Sequence, residues 1–190
     1  MGDNIGGGAP GNGLSLVLAL EAMGRFRYLS YQFDPESIRQ TASKKVGERF
    51  VLRLRGYNEK EEGQWSFEVT LLQRIDGKFS ETSPRHGGQV NFDMGETIIV
   101  STSKGGMLML SSLRIPPFSL RQLTAFGILP ENFDIIIAKG VNAPIAAYGP
   151  VCSKIIQVDT PGITRADMTT FNYIHRRQPL FPFEQKGIIA

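Results

Sequence analysis

The sequence predicts an α+β fold in a single domain, with one mixed β-sheet and helices packed on it. Residues 49–55 and 64–75 alternate apolar and polar side chains, as half-buried strands do. Residues 96–103 and 107–113 flank Lys104-Gly105-Gly106, which is typical of a β-hairpin. A strand, a short helix and a second strand then follow in the C-terminal third, which adds a parallel crossover to the hairpins.

This strand–helix–strand unit carries two charged residues at its strand ends. Residues 134–139 predict a strand that ends in Lys139, and residues 154–159 predict a strand that ends in Asp159, with a helix over 143–151 between them. The carboxyl ends of parallel strands share one edge, where open α/β sheets bind their ligands. Both residues are therefore candidate site residues, and the alternative of a surface lysine and a turn-forming aspartate stays open.

Two helices are predicted near the start of the chain. Residues 14–23 are strongly apolar, with Asn12 as the N-cap and Gly24 as the stop signal. Asp34, followed by Pro-Glu, has the pattern of a helix cap and first turn, and this second helix is expected to run to about Lys44.

The remaining segments are irregular or short. A brief helix is predicted near residues 119–126, and the charged stretch 58–63 predicts a surface loop. Residues 175–190 predict an extended tail laid over the domain, because Pro179 and Pro182 exclude a helix or a central strand.

Composition excludes several classes of function. A chain of 190 residues with 41% hydrophobic and 21% charged residues is an ordinary globular domain. No apolar run approaches the roughly 20 residues of a membrane span, so no membrane partner is expected. The net charge of +3 comes from basic residues spread among acidic ones, so no nucleic-acid partner is expected. A single cysteine, Cys152, is interpreted as a structural thiol and fits a reducing cytoplasm.

The glycine-rich opening allows three interpretations. Residues 6–11 satisfy G-x-G-x-x-G, and residues 8–15 resemble a P-loop with Leu14 in place of its lysine, but no strand precedes them. Bare backbone amides ahead of a helix favour an anion or a developing oxyanion. A tight turn that only permits close packing is the structural alternative.

His86 and His175 stand alone, without H-E-x-x-H or a cysteine pair, so they are interpreted as ordinary histidines and no metal site is predicted in this chain.

The opening and the later segments together resemble the C-terminal region of the MlrC family, the microcystin-degradation proteins. Residues 3–13, DNIGGGAPGNG, are similar to the family signature D-N-x-G-G-G-x-P-G-D/N. Further similar segments follow in the same order, and the resemblance spans essentially all 190 residues; these segments are 77–79, 93–98, 126–130, 137–140, 159–162 and 176–182.

The resemblance implies a zinc metallopeptidase of which this chain is the C-terminal domain. In the family the zinc ligands lie in a larger N-terminal domain, which this sequence lacks, so the chain alone is expected to hold no cofactor and to be inactive. The expected partners are that N-terminal domain and a peptide or amide substrate. Taken together with the predicted strand ends, the resemblance leads us to expect eight residues at the cleft between the domains: Asp3, Asn4, Gly6, Gly7, Gly8, Lys139, Asn142 and Asp159.

One departure from the family pattern affects this expectation. Many members carry K-S-x-x-H-F-R, whereas this chain has Asn142 at the histidine position after Lys139. Asparagine cannot titrate near neutral pH, so a different substrate is expected. A non-catalytic scaffold or homodimerisation domain is the alternative function, and a phosphate- or nucleotide-binding module is the third.

Overall fold

A six-stranded mixed sheet lies at the centre of the computed structural model, which describes residues 2–57, 62–85 and 88–184. Residues 58–61 of the predicted surface loop, and His86, lie outside the described residues. The strands are β1 Tyr28–Phe33, β2 Arg49–Tyr57, β3 Glu62–Ile75, β4 Lys78–Arg85, β5 Gln89–Asp93, β6 Thr97–Thr102, β7 Gly106–Ser111 and β8 Ile135–Ile137. The strand order in the sheet is β2-β3-β6-β7-β1-β8, and β4 pairs with β5 in a separate ribbon. The predicted α+β class is confirmed.

The predicted hairpin and the two predicted half-buried strands are confirmed. Strands β2 and β3 run antiparallel from the pair Arg49–Thr70 onward, and β6 and β7 run antiparallel from the pair Thr97–Ser111. Alternation identified β2 and β3 because they lie at one side of the sheet, where one face of each strand is solvated.

The parallel half of the sheet is built around β1, which the sequence analysis missed. Strand β1 runs parallel to β7 and to β8, with Tyr28 opposite Gly106 and Ile135. Five of its six residues are buried. A strand buried on both faces shows no alternation, so the pattern that found the hairpins could not find β1.

Helices cover both faces of the sheet. They are α1 Ser15–Met23, α2 Pro35–Gln40, α3 Arg121–Thr124 and α4 Ala143–Tyr148. The apolar side chains of α1 and α2 pack on one face, and those around α3 and α4, together with the β4–β5 ribbon, pack on the other. None of the helices in the described ranges is long and apolar enough to cross a membrane.

The helix caps agree with the sequence in part. The Asp34 side chain accepts a hydrogen bond from the Ser37 amide at 3.0 Å, and Gly24 ends α1 with φ of 60°, as predicted. Asn12 as the N-cap of α1 is wrong: Leu14 occupies that position and no side chain caps the helix. Helix α2 ends at Gln40 rather than near Lys44, because the next residues fold into turns.

The strand predicted at 154–159 is also wrong. Residues 154–159 form no strand, and the side chains of Ile155 and Ile156 are exposed there. The parallel connection in the sheet is instead β7–α3–β8, with β1 between its two strands. The described part of the predicted extended tail closes on itself, because Arg176 pairs with Glu184 and the Leu180 amide donates to the same carboxylate at 2.8 Å.

Candidate functional site

The glycine-rich stretch, residues 2–14, lies across the carboxyl ends of two parallel strands; we call it the opening loop. The Ile5 amide donates to the Lys139 carbonyl at 3.2 Å, just beyond β8. The Phe33 amide, at the end of β1, donates to the Gly11 carbonyl at 3.1 Å. The opening loop therefore occupies the sheet edge where ligands of α/β proteins bind.

The opening loop folds around the side chain of its own Asp3. One carboxylate oxygen accepts from the Gly11 amide at 2.7 Å, and the other accepts from the Gly13 amide at 2.7 Å. Gly11 has φ of 85°, and a Cβ there would come within 2.6 Å of the Ile5 side chain, so the wrapping needs glycine at this position. Successive backbone amides around an anion form a nest, and in this nest the anion belongs to the chain itself.

The Lys139 side chain holds Asp3 and the opening loop together through hydrogen bonds. Its ammonium donates to Asp3 at 2.9 Å, to the Gly11 carbonyl at 3.1 Å and to the Gly13 carbonyl at 2.7 Å. An ammonium has three N–H donors, so these three bonds use all of them. Lys139 thus joins the end of β8 to both parts of the opening loop, the part with Asp3 and the part with Gly11 and Gly13. We call the ion pair of Asp3 and Lys139 the buried clamp.

The clamp is an ion pair away from water. The side chains of Lys139 and Asp3 are only 6% and 7% exposed. Burial by itself would raise the pKa of Asp3, but the Lys139 ammonium and the amides of Gly13 and Gly11 outweigh it, so the pKa lies below its usual value. Asp3 is therefore ionised throughout the neutral range.

Gly6, Gly7 and Gly8 form the exposed crest of the opening loop. Residues Ile5–Gly7 make one 3₁₀ turn, which Gly8 closes with φ of 94° by donating to the Ile5 carbonyl at 3.1 Å. All three glycines are exposed, whereas Ile5 is buried in the core below them. We call these three residues the glycine crest.

Asn4 fixes the crest to a second segment of the chain. Its carbonyl accepts from the Gly7 and Ala9 amides, and its own amide donates to the Thr164 hydroxyl at 2.9 Å. The Thr164 amide in turn donates to the Gly2 carbonyl at 3.0 Å. Residues 2–4 therefore lie beside the segment around Thr164. No strand pattern in the sequence indicates this contact.

Asn142 lies in the turn between β8 and α4, and no hydrogen bond joins its side chain to α4. It is exposed directly before that helix. A Cβ on Gly6 would lie 3.9 Å from the Pro116 ring, and one on Gly140 would lie 3.7 Å from the Pro117 ring. The crest and the Gly140–Asn142 turn therefore flank the same pair of prolines.

Asp159 is held in a different arrangement from the one predicted. It does not end a strand, and its carboxylate is exposed, 3.6 Å from the Arg165 guanidinium. The opening loop lies between Lys139 and the segment that follows Asp159, because Gly2 packs against Thr160 and Pro161. The two residues are thus near the same edge of the domain, but only Lys139 belongs to the clamp.

Sequence reasoning missed the partners that make the clamp. Gly11 and Gly13 supply two amides and two carbonyls, and Thr164 supplies the hydroxyl for Asn4. The spacing of the two glycines was a visible signal, whereas nothing in the sequence pairs Thr164 with Asn4.

A further buried carboxylate, Asp34, follows β1 at the same sheet edge, and burial raises its pKa.

No metal ligand set is present among residues 2–57, 62–85 and 88–184: no three histidine, cysteine or acidic side chains come together there. His175 is exposed, and Cys152 is half-buried beside the core around α4. The zinc that the family resemblance implies therefore does not fit the described residues of this chain.

An apolar groove of about 560 Å³ opens beside the clamp, along the free side of β8; we call it the edge groove. Its walls are α1, β8 and the irregular segment 151–158, and Asp3, Gly13 and Lys139 lie at one end of it. This volume lies within the usual range for ligand pockets in proteins.

Comparison with known families decides what this domain is. The family model described as MlrC C-terminus matches residues 1–175. The chain belongs to the MlrC C-terminal family. The family match includes the whole opening loop and the clamp residues, and its description names the C-terminal part of MlrC proteins. No curated protein sequence matches the chain.

The fold of this MlrC C-terminal domain is also found in a solved structure. A candidate metallopeptidase from Mesorhizobium sp. BNC1 superimposes with a TM-score of 0.80 at 16% sequence identity, over 96% of this chain. The match covers 36% of the other protein, so this chain spans about a third of that protein's length. The likeness shows a shared fold, and the larger protein contains much more than this domain.

Proposed function

We propose that this domain completes the active-site cleft of an MlrC-like metallopeptidase or amidohydrolase, by presenting the glycine crest to a peptide or amide substrate. Zinc, where the whole protein carries it, is held by the preceding domain and supplies the Lewis-acid chemistry of hydrolysis. The observation that carries the proposal is an exposed run of three glycines whose flanking residues are fixed by the buried clamp and by Thr164.

The glycine crest suits a substrate-binding role for a physical reason. A backbone without side chains lets an extended substrate approach closely enough to hydrogen-bond with it. Such contacts are effective when they are held in place before the substrate arrives. The clamp provides this rigidity, since Asp3 and Lys139 fix the loop on either side of the turn.

The residues of the site then divide by task. Asp3 and Lys139 are positioning residues, because the donors of Lys139 are already used within the loop. Asn4 holds the base of the crest, and Asn142 offers an exposed amide beside it without acid–base chemistry. Asp159 is assigned to the rim of the same cleft.

The phosphate-binding alternative has less support. The amides of Gly11 and Gly13, which a phosphate would need, already donate to the Asp3 carboxylate. A second anion would have to displace Asp3 and leave the buried Lys139 ammonium without its partner. Peptide or amide recognition requires no such displacement.

The test is Gly6→Val in the protein that carries both domains. A Cβ on Gly6 meets no atom closer than 3.5 Å, so the variant should fold with an unchanged melting temperature. If the crest contacts the substrate, kcat/KM for hydrolysis of a peptide and amide panel should fall at least tenfold. Ala42→Val, at an exposed turn after α2, is the matched control and should change neither quantity.

Two results would contradict the proposal. One is a Gly6→Val protein with the kcat/KM of the wild type. The other is a whole protein, loaded with metal, that hydrolyses no peptide or amide bond in the panel.

A further inference from the structure

The edge groove has an exposed apolar rim that a domain in water would not ordinarily carry. Met23 of α1 and Val151 and Ile156 of the segment 151–158 line the groove, and each is at least half exposed. Val141 and Ile145 continue the rim beside α4. Scattered exposed apolar residues are normal, but a continuous group of them around a groove marks a contact surface.

The sheet edge inside this groove is open. β8 is the last strand of the six, and it pairs with β1 alone among the described strands. The segment 151–158 runs past it without forming a ladder. Open edge strands are normally shortened, charged or covered, and Ile135–Ile137 is short but entirely apolar.

The first described residues of the chain lie at one end of the same groove. Asp3 lines it together with Thr160 and Pro161. Gly2 is packed so tightly against that pair that a Cβ there would lie 1.8 Å from the Thr160 carbonyl oxygen. Polypeptide that precedes Gly2 in a larger protein therefore starts out beside the groove.

We infer that the edge groove is the docking surface for the domain that precedes this one in larger proteins of the family, through an apolar segment of that domain. The inference rests on the proposed function for the identity of the occupant. Where a preceding domain is covalently joined to the opening loop, the tether raises the effective concentration of that segment at the groove, so moderate apolar contact is sufficient to keep it bound.

The charges around the groove agree with an apolar occupant. The charged residues that line it are Glu131, Asp134, Lys154 and the two residues of the clamp, and the neutral Tyr148 and Cys152 also line it. Asp134 is paired with Arg27, and the clamp is paired internally. No single sign of charge dominates, so the contact area is expected to be apolar side chains against Leu16, Ala19 and the β8 edge.

Cys152 gives a direct probe of the groove, because it is the one cysteine of the chain, is half-buried and lines the groove wall. The experiment measures the rate at which a small maleimide labels Cys152, located by peptide mass spectrometry. The 190-residue chain is compared with the longer polypeptide in which the family's N-terminal domain precedes Gly2. Docking should slow labelling at least tenfold in the longer protein.

Matched variants distinguish docking from a general change in the fold. Ile156→Glu, at a side chain 68% exposed on the rim, should restore fast labelling in the longer protein. Val46→Glu, at a side chain 65% exposed in the turn after α2, should leave labelling slow. Both variants should leave the melting temperature of the 190-residue chain unchanged.

Three outcomes would overturn the inference: equal labelling rates in the two proteins, an equal effect of the two variants, or slowing that depends on the concentration of the 190-residue chain and so reports a second copy. Labelling requires no catalysis. Failure of the proposed function, seen as absent hydrolysis or a neutral Gly6→Val, is therefore a separate result.

Discussion

The two ends of β8 are each held by an ion pair, and the two pairs lie in opposite surroundings. Before the strand, Asp134 pairs with Arg27 at 2.7 Å with side chains 40% and 63% exposed. After the strand, Lys139 pairs with Asp3 at 2.9 Å with both side chains almost fully buried. The two ion pairs have similar distances, but we expect them to contribute very differently to the free energy of unfolding.

The difference is one of solvent. Water screens the Arg27–Asp134 pair and would solvate either partner if the other were removed. Water cannot solvate Asp3 or Lys139 in this way, because both side chains are buried. Each therefore depends on the other and on the opening loop for its hydrogen bonds. The carboxyl end of β8, where the proposed site lies, is thus the end whose geometry is strictly determined.

Removing the ammonium from the clamp should have the largest effect. Lys139→Met keeps most of the side-chain volume but leaves Asp3 as an unpaired buried charge, so the free energy of unfolding should fall by about 3–5 kcal/mol. Urea denaturation followed by circular dichroism measures this. A loss below about 1 kcal/mol would mean that water reaches Asp3 and that the clamp is not buried in solution.

Removing only the negative charge should have a smaller, pH-dependent effect. The pKa of folded Asp3 lies below its unfolded value of 3.8, so its charge stabilises the fold above that pH and the contribution is lost as the pH falls through the folded pKa. Asp3→Asn should cost about 1.5–3 kcal/mol at pH 7, and the gap to wild type should narrow below pH 4.

Denaturation of both proteins between pH 7 and pH 2.5 measures this gap. Asp34, a second buried carboxylate, is present in both, so its titration cancels in the comparison. A gap that stays constant down to pH 2.5 would show that the charge of Asp3 is not what stabilises the opening loop.

The smallest effect is expected at the other end of the strand. Asp134→Asn removes the exposed pair with Arg27, but it keeps an oxygen that can accept from the Arg27 amide. The free energy of unfolding should stay within the error of the urea measurement, and 0.5 M salt should remove any remaining difference. A loss comparable to that of Lys139→Met would remove the contrast between the two ends.

The hairpins and most helices could be predicted from the sequence because their signals are local. Alternation in 49–55 and 64–75 reflects one solvated face, and the Asp34 cap acts on an amide three residues away. Strand β1 could not be found, since burial on both faces removes the alternation. The strand predicted at 154–159 shows the opposite error: an apolar run there reflects an exposed groove wall rather than a ladder.

The sequence identified several residues of the candidate site, but it did not identify what each of them does there. Asp3 and Lys139 were both singled out, but their pairing joins residues 136 positions apart, and only the folded chain brings them together. The glycine spacing suggested an anion held by backbone amides. The identity of that anion, the chain's own Asp3, depends on how the opening loop returns over the ends of β1 and β8.

A double-mutant cycle on Asp3→Asn and Lys139→Met, followed by urea denaturation at pH 7, tests the central claim most directly. If the opening loop is organised around one buried ion pair, the double variant should be no less stable than Lys139→Met alone, so the coupling energy should equal or exceed the cost of Asp3→Asn, about 1.5–3 kcal/mol. Additive losses from the two substitutions would contradict this account, because they would mean that the two side chains stabilise the domain independently.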